Sequence, residues 1–123
     1  FRDPRVGACY DFGHANLFLD DHRGNLNALG ARVKALHVHD NHGAEDEHLL
    51  PFFGRIDWKS AMAGLSDIGY AGDLTYEIQE FGRNLPKHLK CAAVDLSVAV
   101  GRELINYAGG DATPDTAFPG VPS

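Results

Sequence analysis

Three short apolar runs, each followed by a segment of helical spacing, restrict this chain to an alternating architecture. Val6 to Tyr10 is apolar, is bounded by charge, and reads as a buried strand ending at Asp11. After Asp20 and Asp21 a modest helical stretch runs towards Ala31, with Leu26 and Leu29 three apart and Gly24 and Gly30 weakening it. Val33 to His39 reads as a second strand, in which His37 and His39 share a face because side chains alternate. Asp40 to Arg55 is polar and then carries Pro, Phe and Gly, which reads as a long loop of the kind that often carries function. Asp57 is placed to cap a helix bearing Trp58, Met62, Leu65 and Ile68, which Gly69 ends. Asp73 to Ile78 is the third strand candidate, and Pro86 opens the longest helix, with Leu89, Ala93, Leu96, Val100 and Leu104 along one stripe. Strand and helix alternate three times, so the fold class is α/β, with parallel strands and right-handed helical crossovers.

The residues that carry chemistry gather at particular points of this pattern. Five of the seven histidines, His14, His37, His39, His42 and His48, are interleaved with Asp11, Asp40 and Asp46. Imidazole and carboxylate are the usual ligands of Zn, Mn, Fe and Co. Asp11 closes the first strand, His37 sits near the end of the second and Glu77 near the end of the third. In a parallel α/β protein those ends converge on one face, where ligands bind, so three strands each aim one ligand at one point. Asp40 has the opposite parity to His37 and reads as a turn or supporting residue. His22 and His88 lie outside the cluster and are expected on the solvated surface. Trp58 is expected to anchor the core, and Cys9 to be buried. Asp11-Phe12-Gly13 also matches the metal-binding tripeptide of protein kinases, but neither a glycine-rich loop nor a catalytic-loop motif accompanies it.

Composition removes several classes. At 44% hydrophobic and 23% charged residues the chain has ordinary globular usage, which excludes disorder throughout. A formal charge of −6, spread rather than blocked, argues against a nucleic-acid clamp. Cys9 and Cys91 make no disulfide framework, and with no apolar run near the roughly 18 residues of a membrane span a cytoplasmic location is expected. The chain opens on Phe1 and so reads as a piece of a longer protein. Residues 1–107 form the one domain, and 108–123, rich in Gly and Pro, are expected to be a disordered tail.

Five motifs occur in order: Tyr10-Asp11-Phe12-Gly13-His14, Leu36-His37-Val38-His39-Asp40-Asn41, Asp46-Glu47-His48-Leu49, Gly54-Arg55-Ile56-Asp57-Trp58 and Tyr76-Glu77. In this order they resemble the xylose-isomerase-like superfamily, the sugar-phosphate isomerases and epimerases with apurinic endonucleases of the endonuclease IV type as relatives. The resemblance covers about residues 6 to 106 and implies the C-terminal three βα units of a (β/α)₈ TIM barrel, hence a partial barrel. It implies a divalent metal (Mn, Co, Zn, Fe or Mg) on Asp11, His37 and Glu77, with a fourth ligand, a glutamate, on an earlier strand outside this chain. It implies that Glu77 doubles as a general base and that His14 meets substrate or, as in the endonucleases, joins Asp46 and His48 at a second metal. His39 and Arg55 are further expected substrate contacts. Phe52 stands where the family often has glycine.

The expected activity is isomerisation or epimerisation of a small sugar or sugar phosphate by metal-assisted proton transfer through an enediolate. The competing readings are a metal-dependent apurinic endonuclease, which the acidic charge disfavours, and a non-catalytic fragment or assembly module. Three strands cannot close a barrel of about 250 residues, so this chain alone is expected to be inactive, to need the remainder of the barrel as partner, and to be prone to homo-oligomerise.

Overall fold

The computed structural model describes residues 3–109. The expected tail therefore lies outside the described residues, apart from Ala108 and Gly109, which follow the last helix. Strand β1 (Ala8–Asp11) leads directly into a short helix α1 (Phe12–Asn16), then α2 (His22–Leu29) and a 3₁₀ turn to Arg32. Strand β2 (Val33–His37) follows, then the long loop, α3 (Trp58–Asp67), a 3₁₀ turn at Lys87–Leu89, and α4 (Lys90–Tyr107). β1 and β2 are parallel, with Tyr10 opposite Leu36 and Asp11 opposite His37.

The third strand is reduced to one parallel bridge between Val38 and Tyr76. Val38 donates its N–H to the Thr75 carbonyl at 2.8 Å, and Glu77 donates to the Val38 carbonyl at 3.1 Å. Among the described residues this segment has a partner on one side only, too little to hold a full ladder. The bridge still sets Glu77 beside the end of β2.

The starts of α2 and α3 follow the sequence, whereas α1 is unexpected and α4 begins at Lys90, one 3₁₀ turn past Pro86. Asp21 caps α2 by accepting from the Gly24 amide, and Asp57 caps α3 by accepting from the Ser60 amide at 3.0 Å. Gly69, at φ +63, takes the left-handed turn past the end of α3. Arg23 on α2 and Asp67 on α3 form a two-pronged ion pair at 2.6 and 3.0 Å. The core lies between the sheet and these helices: Phe12, Leu26, Leu36, Val38, Trp58, Met62, Leu65 and Leu104 are all essentially inaccessible. The Trp58 and Phe12 rings meet at 5.2 Å.

Two expectations fail for identifiable reasons, and the apolar stripe of α4 is largely uncovered. Only Leu104 of the α4 stripe is buried; Leu89 and Leu96 are 42% and 43% exposed, because α4 reaches the core through its C-terminal end. His22 is buried, not solvated: it lies one helical turn from Leu26, packs on Phe12 and bonds through Nδ1 to the Tyr10 hydroxyl at 2.9 Å. Cys9 is exposed, because it alternates with buried Tyr10 and so shares the open face with Asp11. Among the described residues no helix is long and apolar enough to cross a membrane.

The long loop is fixed from inside by Asp40. Its carboxylate is fully buried and accepts four hydrogen bonds: from the Asn41 and Ile56 amides at 2.8 and 3.2 Å, and from the Phe52 amide and the Trp58 indole at 3.1 and 2.8 Å. Binding Asp40 draws Phe52 into left-handed backbone, φ +75, at the position where the family often has glycine. Its ring rests edge-on against Tyr107 at 6.0 Å. Gly54 runs so close to Asp40 that a Cβ there would collide with the carboxylate. Replacing Asp40 leaves four donors, three of them buried, without an acceptor. Asp40→Ala is therefore expected to cost about 3–5 kcal/mol in urea unfolding, whereas exposed Asp57→Ala, which removes one cap, costs about 1 kcal/mol. Equal losses for the two variants would show that Asp40 is not the loop's anchor.

Candidate functional site

Two groups of potential ligands share one end of the sheet: Asp11, His37 and Glu77, and His14, His39, Asp46 and His48. Each position follows from local structure. Asp11 ends β1 and also caps α1, accepting the His14 amide at 2.8 Å. His37 ends β2 directly opposite Asp11 in the parallel register, and Glu77 arrives through the Val38 bridge.

In the first group His37 Nδ1 lies 3.3 Å from Asp11 Oδ2 and 3.3 Å from Glu77 Oε1. Charge-assisted hydrogen bonds close to about 2.7–2.9 Å. Two donors each about 2.1 Å from one ion at a tetrahedral angle stand about 3.4 Å apart. The spacing and the mixed Asp, His and Glu donor set thus fit a divalent cation. All three residues are partly buried and open on the side that Cys9 shares. Burial raises the Cys9 thiol pKa, and the charges of Asp11 and Glu77 raise it further.

The second group is built on imidazoles. His14 Nε2 and His48 Nε2 each lie 3.0 Å from Asp46 Oδ2. Asp46 and His48 therefore do face His14, although the segment is not extended at His48, where φ is +50. The His39 and His48 rings stack at 4.1 Å and 6°. The two groups meet at Asp11, which His14 Nδ1 approaches at 2.8 Å and His39 Nε2 at 2.9 Å. They meet again at Glu77, whose carbonyl accepts from His48 Nδ1 at 2.8 Å.

The electrostatics follow from these contacts. Burial alone would raise the Asp11 carboxyl, but the His39 ring, the His14 amide and the two neighbouring imidazoles hold it well below the usual carboxylate range. Desolvation pulls His14 down, yet Asp11 and Asp46 outweigh it and raise its pKa. His48 is likewise pulled down by desolvation and raised on balance by the Glu77 carbonyl and Asp46.

Two residues expected to contact substrate are placed differently. His39 is wholly buried behind Asp11 and presents no surface to a substrate. Arg55 pairs with exposed Asp20 at 3.0 Å and lies over Gly43, with no bond to either group among the described residues. His42 is tied to Glu47 at 2.8 Å. Sequence reasoning missed two asparagines that lock α1 to the loop. Asn16 Nδ2 donates to Asn41 Oδ1 at 2.8 Å, and Asn41 Nδ2 to the Gly13 carbonyl at 2.8 Å. Neither is charged, and their only signal was position: Asn41 follows Asp40, and Asn16 ends α1.

Parallel strands whose C-terminal ends present carboxylate and imidazole to one point have the geometry of an α/β-barrel site, with donors of the kind that could hold a metal. Residues 1–95 match the xylose isomerase-like TIM barrel family, and the chain belongs to it. It is 43% identical over 72 residues to uncharacterized protein y4fM of Sinorhizobium fredii, covering 58% of this chain and 23% of that protein. It is 34% identical over 59 residues to fructoselysine 3-epimerase of Escherichia coli O157:H7, covering 48% of this chain and 22% of that one. Among solved structures it is similar to a D-tagatose 3-epimerase-like protein, with a TM-score of 0.63 and 27% identity over 84% of this chain and 36% of the other. The chain thus spans well under half the length of these relatives.

The shifted groups make a prediction for the metal-free chain. Asp11 contributes stability that is present above the ordinary aspartate value of about 3.9 and is lost as pH falls through its lowered value. His14 and His48 contribute stability that is complete below about 6.5 and is lost as pH rises through their raised values. Stability should therefore peak between these limits and fall as pH rises through the raised histidine values. A saturating divalent ion, which displaces the imidazole protons, should move the maximum to higher pH. Thermal melts across pH with and without Zn(II) check this, and a maximum that the ion leaves in place would contradict it.

Proposed function

We propose that these residues are the metal-binding part of a sugar or sugar-phosphate epimerase, and that the chain supplies the last three βα units of its barrel. The observation that carries the reading is the 3.3 Å spacing of His37 Nδ1 from Asp11 Oδ2 and Glu77 Oε1 at the strand ends. Two relatives support the substrate class, since the curated relative is named a 3-epimerase and the solved structure a 3-epimerase-like protein. A divalent ion bound there supplies Lewis acidity to the carbonyl and adjacent hydroxyl oxygens of a ketose. Its identity within Mn, Co, Zn, Fe and Mg is left open by the donor set.

The chain's own groups do the remaining work on one face of the sugar. Glu77, partly buried beside Val38, removes the proton from the carbon next to the carbonyl. His37, 3.3 Å from both the Glu77 and the Asp11 carboxylates, would hold Glu77 in place beside the ion. His14, exposed at the rim and anchored by its bond to Asp11, meets a substrate hydroxyl. Inversion needs a second acid or base on the opposite face, and that group is proposed to belong to an earlier strand of the whole protein. The acidic net charge of −6 weighs against the endonuclease reading, because phosphate contacts dominate DNA affinity.

The test is exchange of deuterium from solvent into the carbon beside the carbonyl, across a panel of ketoses and their phosphates, in the full-length protein loaded with Mn(II) or Co(II). Glu77→Gln is expected to lower the exchange rate by about 10²–10⁴-fold, and residues 1–123 alone should show none. Exchange that survives Glu77→Gln unchanged would remove this glutamate from the chemistry.

A further inference from the structure

We infer that His39 is a metal ligand through Nδ1, and that with His14, Asp46 and His48 it completes a closed four-donor site for a structural zinc-type ion. The resemblance supplies three of these donors and leaves His39 as a substrate contact, a role its burial forbids. The inference does not depend on the sugar chemistry.

The outer nitrogen of each of the three rings is held by an oxygen. His14 Nδ1 faces Asp11 Oδ2 at 2.8 Å, His39 Nε2 faces Asp11 Oδ1 at 2.9 Å, and His48 Nδ1 faces the Glu77 carbonyl at 2.8 Å. Each of these nitrogens has an oxygen to receive its proton, so the second nitrogen of each ring, which faces Asp46, can bind a cation once it gives up any proton of its own. Imidazole held from behind by carboxylate or carbonyl is the arrangement of a metal-bound histidine.

His39 shows this most clearly. Its Nδ1 is buried and has no hydrogen-bond partner, a state that native proteins avoid. It points at Asp46 Oδ1 from 3.9 Å, too far for a hydrogen bond and within reach of a shared ion. One ligand atom from each of the four residues falls within 4.8 Å of the others. The ring cannot turn away, because His48 stacks on it and Gly13 packs so closely that a Cβ there would occupy the ring's space.

Four protein donors leave no open position, which marks a structural rather than a catalytic ion. Three imidazoles and one carboxylate suit zinc. Such an ion would tie together the end of β2, helix α1 and the loop carrying Asp46 and His48.

The full chain carrying Glu77→Gln, which disables the first group but keeps the carbonyl that holds His48, is titrated with Co(II). One ion should bind, with the intense visible absorption of four-coordinate cobalt. Adding His39→Gln should weaken binding about tenfold or more and reduce the spectrum to the weak bands of higher coordination. Unchanged affinity and spectrum would overturn the inference. Should that variant fail to fold, ¹⁵N NMR of the unsubstituted chain decides instead. Saturating Zn(II) should shift the His39 Nδ1 resonance to its metal-bound position, and a resonance that stays put would overturn the inference equally.

Discussion

The carboxylate of Asp11 is the point on which the rest of this structure turns. One oxygen accepts the His14 amide and the His39 ring; the other faces His14 and His37. The residue is at once the last of β1, the cap of α1 and a member of the first ligand group. A single side chain therefore fixes where the strand stops, where the helix begins and where positive charge can collect. Because β1 and β2 are parallel and in register, the same constraint places His37 directly across from it. Parallel pairing makes this possible, since it brings the ends of successive strands to one edge.

A second buried carboxylate does for the loop what Asp11 does for the strands. Asp40 has no surface and four donors, so its charge is matched by oriented hydrogen bonds and not by a counter-ion. It pins Phe52, Ile56 and Trp58, and thereby joins the loop to the core cluster. Asp46 and His48 can then be held on a loop without losing their positions relative to His14. The left-handed backbone at Phe52 is a local strain of about 1–2 kcal/mol, offset by the amide bond to Asp40 and the contact with Tyr107.

Much of this was legible in the sequence, for reasons that are local. Asp57 and Gly69 bracket α3 because capping is decided within one turn. Asp11, His37 and Glu77 were legible as strand-end residues because parallel alternation fixes which ends meet. Trp58 was legible as an anchor from its helical spacing. What escaped depends on contacts distant in sequence. The α4 stripe has the spacing of a buried face, but spacing does not say whether a partner covers it. His22 looked solvated until its place beside Leu26 set it against Tyr10 and Phe12. The third strand has strand composition but one neighbour, so it forms a bridge and no ladder. Alternation put His39 on the same face as His37, yet only the packing of Gly13 and His48 shows that its ring is sealed from solvent.

The account stands on the first ligand group holding a divalent ion at the strand ends. An anomalous-difference map from crystals of the chain soaked in Mn(II) addresses that most directly. The account predicts a peak about 2.0–2.4 Å from Asp11 Oδ2, His37 Nδ1 and Glu77 Oε1. A map with manganese bound elsewhere on the chain and no density among those three atoms would contradict it.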